Sequence, residues 1–372
     1  NRNLTYAGTN KDNSIIDYFL QDATGGTPAQ FKSGEDLYNT PTELAYNNYL
    51  IGESTILDPA NSNTEYFTDV TGIPSQHEEI ETRGTQNQWN FSYGANIGDK
   101  VFLGLGVGVA SIRYKSKKVY TENFVNEPLS DLRLEETLEI RGPGINATLG
   151  AIFRPVDFIQ FGVSAATPTS YGLTDAYSAT MNTSWKNYEY LPATPTSPPL
   201  IISDESAATD IINSEYALKT PWRFNTGVTL FIQKHGFVTA DIESINYGNA
   251  KYGDAYDGIS YENDNEKIKT LYQSVINFRL GGEFRLNQFR FRTGYSFMSE
   301  PFKNEQNNVS RAIQSLSGGA GYRTEKFYID FAVVHRYGDN SYRPYTVNSP
   351  TSPLVTFQQS NTNLLVTLGF PF

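Results

Sequence analysis

The strongest constraint on the fold is a period-two alternation of apolar residues with polar or small residues that recurs along most of the chain. Between residues 89 and 97 every second side chain is apolar, and after the tight turn at Gly98-Asp99 the alternation continues to Val109. Two such runs joined by a short turn predict a β-hairpin. The pattern predicts twelve strands, over residues 1–7, 86–98, 100–118, 132–154, 157–184, 215–232, 236–249, 273–286, 289–298, 312–323, 326–337 and 356–372.

The connections between these strands alternate strictly in length. Short turns fall at 98–99, 154–157, 233–236, 286–288 and 324–326, and long connections at 8–85, 119–131, 185–214, 250–272, 299–311 and 338–355. This is the layout of a transmembrane β-barrel, and a soluble sandwich or propeller has no reason to adopt it. The chain 1–372 is therefore predicted to be a single all-β, antiparallel transmembrane β-barrel with short periplasmic turns and long extracellular loops.

The C-terminal strand supports a membrane location. One of its faces is apolar throughout and ends on an aromatic residue, through Leu364, Val366, Leu368, Phe370 and Phe372. Such an ending is typical of bacterial outer-membrane proteins, so we predict a multi-pass barrel in the bacterial outer membrane. Asn1 lies inside a strand-like run, and we therefore expect the true beginning of the protein to lie upstream.

The composition excludes several classes of function. The 372 residues include 40 acidic and 29 basic side chains, three histidines and no cysteine, and the net charge is −11. The lack of cysteine excludes disulfide frameworks and thiolate zinc sites, and the acidic balance argues against a nucleic-acid partner. No histidine has a serine placed by strand parity to form a catalytic pair, and no phosphate loop or metal-ligand spacing occurs. We predict a protein without enzymatic activity, catalytic residues, metal or cofactor.

Several segments, taken in order, carry a family resemblance. They are 217–230 (ALKTPWRFNTGVTL), 236–247, 278–285 with 289–295, 317–322 with 327–331, and 166–171 (ATPTSY). In these segments the chain resembles the long-chain fatty-acid transporter family of outer-membrane barrels (FadL/TodX/OmpP1 type), in its Bacteroidota branch. The resemblance implies about fourteen strands, an even number as in other bacterial barrels, and an N-terminal hatch. The hatch and the first strands are therefore expected upstream of residue 1.

Charged and amide side chains on the later strands are predicted to face the lumen. By strand parity this polar ladder contains Arg223, Asn225, Asp241, Glu243, Asn277, Arg279, Glu283, Arg285, Arg290, Arg292, Asp330 and Arg336. Counting from the turn at 286–288 places Arg292 opposite Glu283 and Arg290 opposite Arg285. The ladder is either a polar pathway with an arginine that holds a fatty-acid carboxylate, or a structural set of paired charges that fills the lumen.

Two proline-containing segments are candidates for a break in the barrel wall. They contain Gly142, Pro143 and Gly144 on one strand, and Thr167 and Pro168 on the next. Each proline is about twelve residues from the turn between these strands, so the two prolines are predicted to face one another. Proline donates no hydrogen bond to the sheet. The segments predict a kink or lateral opening, or alternatively an ordinary bulge at the rim.

The connection 8–85 is predicted to fold over the extracellular mouth. It holds thirteen acidic and three basic side chains. Its apolar residues have helical spacing, and those predicted to form a lid are Ile15, Ile16, Phe19, Leu20, Leu44, Tyr49, Leu50 and Ile51. Thr40-Pro41-Thr42-Glu43 predicts the start of a helix. The segment is a ligand-collecting lid, a docking surface for other proteins, or a solvated loop with its own small core.

Two functions remain open at this point. The resemblance implies an outer-membrane channel for passive uptake of hydrophobic compounds, such as long-chain fatty acids, with lateral movement between lumen and bilayer. Its partners would be outer-membrane lipids and a hydrophobic small molecule. The alternative is a barrel of the same family that acts as a scaffold or partner subunit of a larger secretion or barrel-assembly complex, in contact with other outer-membrane or surface proteins.

Overall fold

The regular structure of the chain is almost entirely β. The computed structural model describes residues 2–53, 65–253, 260–304, 306–348 and 352–370. Its strands are β1 (Arg2–Thr9), β2 (Gly52–Glu53), β3 (Tyr66–Phe67), β4 (Ser75–Ile97), β5 (Val101–Asn123), β6 (Leu129–Val156), β7 (Ile159–Ala166), β8 (Ser170–Leu191), β9 (Leu200–Ala208), β10 (Ile212–Lys219), β11 (Arg223–Ile232), β12 (Gly236–Asn246), β13 (Lys251–Gly253), β14 (Ser274–Leu286), β15 (Phe289–Met298), β16 (Ile313–Arg323), β17 (Tyr328–Tyr342) and β18 (Val355–Gly369). Residues 54–64 of the predicted loop and the terminal Phe372 lie outside the described residues.

Short helices occupy the long connections. They are α1 (Ile15–Ala23), α2 (Pro41–Asn47) and α3 (Glu262–Leu271), with 3-10 turns at Pro28–Phe31, Tyr247–Asn249 and Gln306–Asn308. None of the described helices is both long and apolar enough to cross a bilayer.

The barrel wall is one antiparallel sheet. Twelve strands follow one another in the order β1-β4-β5-β6-β7-β11-β12-β14-β15-β16-β17-β18, and β8, β9, β10 and β13 join the same sheet beside this path. β1 and β18 are the first and last strands of this order. In the described part of the chain no backbone pairing joins them, so the barrel is closed except for this one seam. The predicted fold class, an antiparallel transmembrane barrel of about twelve strands, is confirmed.

Several strand boundaries differ from the prediction. The predicted strands 157–184 and 215–232 each split in two, into β7 and β8 and into β10 and β11. Each gap holds a proline, Pro168 or Pro221, which has no N–H for the sheet. The predicted connection 8–85 is too long, because β4 begins at Ser75. Its first eight residues pair with all of β1.

The outward face of the wall follows strand parity. On β5 the outward residues from Leu103 to Val109 are 41–52% exposed although they are all apolar. The apolar stretch Val101–Val109 has a height of about 23 Å, at roughly 3.3 Å per residue and about 40° tilt, which matches the apolar band of about 25 Å on barrels of this type. Above this band β4, β5 and β6 continue into the extracellular mouth.

Candidate functional site

The described part of the connection between β1 and β4 packs against the upper strands of the barrel. The side chains of Ile15, Ile16, Phe19, Leu44, Leu50 and Ile51 are at most 4% exposed, and Leu20 and Tyr49 pack against them. All eight residues predicted to form a lid therefore lie in one apolar cluster. The cluster also contains inward side chains of the upper strands, including Tyr120, Leu132, Met181 and Trp185. The lid and the upper barrel thus share one hydrophobic core.

Side-chain caps fix the two lid helices. Ser14 caps α1 and forms a capping box with Asp17. Thr40 caps α2 by accepting a hydrogen bond from the backbone N–H of Glu43 at 3.2 Å, with Pro41 in the first turn. The start of α2 is therefore where the sequence placed it.

A fully buried carboxylate holds α1 against the wall. Glu122 of β5 accepts hydrogen bonds from the N–H of Ile15 at 2.9 Å, from Gln76 Nε2 at 2.8 Å, from the hydroxyl of Tyr120 at 2.7 Å and from the hydroxyl of Ser14. Burial raises the pKa of Glu122, against the lowering effect of these hydrogen bonds. The position of the carboxylate at the N-terminus of α1 also suits the helix dipole.

A second buried carboxylate joins three strands above the apolar band. Glu78 of β4 is 2% exposed and accepts hydrogen bonds from the hydroxyls of Tyr6 on β1, at 2.6 Å, and Tyr342 on β17, at 2.9 Å. Burial raises the pKa of Glu78, and the two tyrosine hydrogen bonds oppose this shift. Glu78 therefore connects β4 to the far end of the strand order.

The polar ladder resolves into two separate networks in the lumen. In the upper one, Glu243 accepts a hydrogen bond from Asn277 Nδ2 at 3.0 Å and forms an ion pair with Arg279 at 3.4 Å. In the lower one, Glu283 binds Arg285 at 2.6 Å and Arg292 at 2.7 Å. The other end of Arg292 binds Asp330 at 2.6 Å and so bridges β14, β15 and β17.

The remaining members of the predicted ladder lie outside these networks. Arg290 donates to the carbonyls of Asn287 and Phe289 at the periplasmic turn, and Arg336 donates to the sulfur of Met298. Asn225 is 3.4 Å from the hydroxyl of Ser164. Asp241 lies opposite Arg279 in register, although Arg279 pairs with Glu243. Arg223 is exposed and has no hydrogen-bond or ion-pair partner in the described structure.

Removal of the bridging guanidinium should test the structural role of the lower network. We expect Arg292→Met to lower the free energy of unfolding by about 2 kcal/mol, because it leaves Asp330 without its charged partner and Glu283 with one fewer. Denaturant unfolding of the barrel in lipid vesicles measures the change. Arg290→Met is the matched control and should stay within about 0.5 kcal/mol of the parent. Equal stability of the two variants would contradict a structural ladder.

The wall is interrupted where β7 meets β8 and β10 meets β11. Side chains bridge the gap: Thr167 Oγ1 accepts from the N–H of Ala147 at 2.9 Å, and Thr169 Oγ1 accepts from Asn146 Nδ2 at 3.0 Å. On the other side, Thr220 Oγ1 accepts from the N–H of Thr169 at 2.9 Å. Two backbone hydrogen bonds also cross this region, from the N–H of Thr167 to the carbonyl of Ala147 at 2.9 Å and from the N–H of Thr220 to the carbonyl of Thr169 at 3.1 Å. Side-chain and backbone hydrogen bonds are therefore mixed at this height.

The two predicted prolines do not face one another. Residues 142 and 143 are skipped in the pairing of β6 with β8, between Arg141↔Thr174 and Gly144↔Tyr171, so Pro143 lies at the level of Gly172. Pro168 lies nearer the periplasmic turn, because β6 runs on to Val156 and the turn comes later than the sequence indicated. Position 142 requires glycine for a steric reason, since a Cβ there would clash with the carbonyl oxygen of Gly172.

Below the interruption, the inner face of the wall carries unusually small side chains. One inward row crosses β4, β5, β6, β7 and β11 and consists of Gly94, Gly104, Gly150, Ser164 and Asn225. Most of this row lines a cavity of about 530 Å³, which also contacts Gln160, Thr229 and Asp241. The lumen is therefore open along β5 to β7 and reaches the first strands of the polar ladder, β11 and β12.

The outer face of the same wall carries an apolar groove of about 870 Å³. Two outward rows line it, namely Tyr93, Leu105, Leu149, Ala165, Phe224 and Ser244, and Ala95, Leu103, Ala151, Val163, Thr226 and Ile242. Because the small inward row lies between them, only the thickness of one backbone separates the groove from the lumenal cavity.

Known proteins resemble this chain in fold and not in sequence. No family model matches the sequence, and no curated protein matches it. The chain is similar to a solved FadL homologue of Pseudomonas aeruginosa, with a TM-score of 0.52 and 12% identity over 83% of this chain and 79% of that one. This likeness decides the fold. The barrel has the FadL-type outer-membrane fold.

Two toluene transporters are similar to a lower degree. TodX of P. putida has a TM-score of 0.46 and 12% identity, with 84% of each chain covered. TbuX of Ralstonia pickettii has a TM-score of 0.43 and 13% identity, with 94% of this chain and 97% of that chain covered. The placement in a Bacteroidota branch stays a prediction.

Sequence reasoning missed three features of this FadL-type barrel. The carboxylates Glu78 and Glu122 lie in polar runs that give no sign of burial, although the alternation around Tyr120 continues past the predicted end of its strand. The second interruption, at Pro221, was hidden inside a strand-like run. The outer groove depends on the curvature of the sheet, which side-chain periodicity does not encode.

Proposed function

We propose that this barrel is an outer-membrane channel that takes up hydrophobic small molecules and passes them through its wall. The observation that carries the proposal is the interrupted wall above two cavities that back onto one another. An apolar molecule in the lumenal cavity is one strand thickness from the apolar groove. In the segment above, the pairing of β6 with β8 skips residues 142 and 143, and threonine hydroxyls supply part of the hydrogen bonding.

We propose long-chain fatty acids or similar compounds as the substrate. The family resemblance of the sequence supports this class. Arg223 supports it independently, because its guanidinium faces the lumen one inward row above Asn225, which lines the cavity, and is not neutralised by a described side chain. An unpaired arginine is a suitable partner for a carboxylate.

The scaffold alternative is less well supported. Its docking surface would be the connection between β1 and β4. Most apolar side chains described there pack into one core with the upper strands, which leaves Phe67 and Ile73 as its exposed large apolar residues. The geometry therefore favours transport.

A reversible lock on the wall tests the proposal. The chain has no cysteine, so Thr169→Cys with Thr220→Cys introduces a single disulfide across the interruption, at positions that continue the β8–β10 register. We expect the oxidised form to take up a fluorescent long-chain fatty acid about tenfold more slowly than the reduced form, since a tenfold change needs only about 1.4 kcal/mol.

The control is a second pair, Ser296→Cys with Ser315→Cys, which are paired residues on β15 and β16 away from the interruption. Its oxidation should leave uptake unchanged. If the oxidised Thr169→Cys, Thr220→Cys variant takes up the fatty acid at the wild-type rate, the lateral route is overturned. Uptake of the methyl ester as fast as the acid would overturn the fatty-acid assignment and leave the hydrophobic channel standing.

A further inference from the structure

A basic pocket lies on the outer face of the barrel, directly above the apolar band. Its volume is about 380 Å³, and the charged residues that line it are Arg83, Arg113, Lys115, Glu139, Arg141 and Asp175. On β5 a single outward residue, Ser111, separates Arg113 from Val109, the last residue of the band. The pocket is therefore at the height where a bilayer changes from acyl chains to headgroups.

Arg113 and Arg141 form an unbalanced pair within this pocket. They lie directly opposite each other on β5 and β6, and like charges in this position repel. Both side chains are exposed, and across the described ranges neither guanidinium has a hydrogen bond or an ion pair. The carboxylate of Glu139 interacts electrostatically with both arginines, but its ion pair is with Lys115, so neither arginine has an ion pair of its own among the described residues.

The acids of the pocket are already engaged. Glu139 is bound by Lys115, whose ammonium lowers the pKa of that carboxyl, and Arg113 and Arg141 lower it further. Asp175 shares the inward strand parity of the buried Leu173 on β8 and interacts electrostatically with Tyr216. The remaining cation, Arg83, pairs with Glu81. The free positive charge is therefore concentrated on the two opposed arginines.

We propose that Arg113 and Arg141 bind the phosphate of an outer-leaflet lipid, whose acyl chains lie along the outward apolar residues of β5 and β6. Cross-strand Cβ atoms about 5 Å apart bring two guanidinium groups onto one phosphate, and each presents donors in the planar geometry that phosphate oxygens accept. Basic pockets at the membrane interface recognise anionic headgroups in this way. The site lies outside the transport path, so it stands or falls independently of the proposed function.

Native mass spectrometry of the whole chain in detergent tests the site, with diphosphorylated lipid A and its fully dephosphorylated form as probes. We expect the phosphorylated lipid to bind about tenfold more tightly, and Arg113→Gln with Arg141→Gln to abolish that preference. The control is Lys117→Gln with Arg133→Gln, two basic residues on the same strands that are already paired with Glu135. The control should stay within about twofold of wild type.

Three results would overturn the proposal. One is equal binding of the two lipids by wild type, and another is retention of the preference by the double arginine variant. The third is inorganic phosphate binding as tightly as the phosphorylated lipid, which would indicate a site for free phosphate. The exposed side chains of all four substituted residues predict that both variants fold, and heat-dependent mobility on a gel verifies this.

Discussion

Replacement of Gly104 by phenylalanine is expected to slow the uptake of a hydrophobic probe by about tenfold or more while the barrel remains folded. Gly104 faces the lumen in the centre of the small inward row and lines both the lumenal cavity and the outer groove. A Cβ at this position has no atom within 4 Å, so the new ring enters open space rather than the backbone. The ring then occupies the volume that a passing molecule needs.

A glycine on the opposite face supplies the control. A Cβ added to Gly318 of β16 also has no atom within 4 Å, but strand parity with the exposed Leu316 directs it to the outside of the barrel. Gly318→Phe adds the same ring without narrowing the lumen, and its uptake should equal that of the parent. If both variants transport at the parental rate, the lumenal cavity is not on the transport path. Liposome uptake measurements with folded protein, checked by gel mobility, give the comparison.

Strand pairing was accessible from sequence because side chains in a sheet alternate with period two and short turns fix the register. Arg292 is opposite Glu283 and Arg290 is opposite Arg285, as counted from the turn, and both pairings are confirmed. The turn at 286–288 is short and lies between unbroken alternations. Where a strand ran on beyond its apparent end, as β6 does, the same counting misplaced Pro143.

The parts that sequence reasoning missed depend on contacts between distant segments. The acidic residues 78–81 resemble a solvated loop until Tyr6 and Tyr342 are placed beside Glu78. Likewise, Glu122 becomes a structural residue only once α1 brings its N-terminus to it. Local propensity contains no information about such partners, since β propensity reflects the neighbours of a position.

Truncation of Glu122 to alanine should release the lid from the barrel mouth. The substitution leaves the N–H of Ile15, the amide of Gln76 and the hydroxyls of Tyr120 and Ser14 without their common buried acceptor. Unpaired buried donors and the empty volume should weaken lid docking by about 3 kcal/mol or more. Hydrogen-exchange protection of the α1 amides measures this loss, with the amides of β16 as an internal reference. Unchanged protection in α1 would contradict the anchoring role.

The same carboxyl should make lid docking depend on pH, and glutamine should remove that dependence. Burial raises the pKa of Glu122 in the docked lid, so docking favours the protonated carboxyl. Docking is therefore strongest below the ordinary pKa of about 4.3 and weakens as the pH rises through the raised pKa. Glu122→Gln resembles the protonated form: its oxygen accepts the three hydrogen bonds now made to Oε1, and its amide nitrogen donates to the Ser14 hydroxyl. Burial of Glu78 gives a shift of the same sign, and Glu78→Gln separates the two contributions. Hydrogen-exchange protection factors of the α1 amides should therefore fall with rising pH in the parent and in Glu78→Gln, and stay level in Glu122→Gln. If protection in the parent rises with pH instead, the four hydrogen-bond donors, rather than burial, control the pKa of this carboxyl.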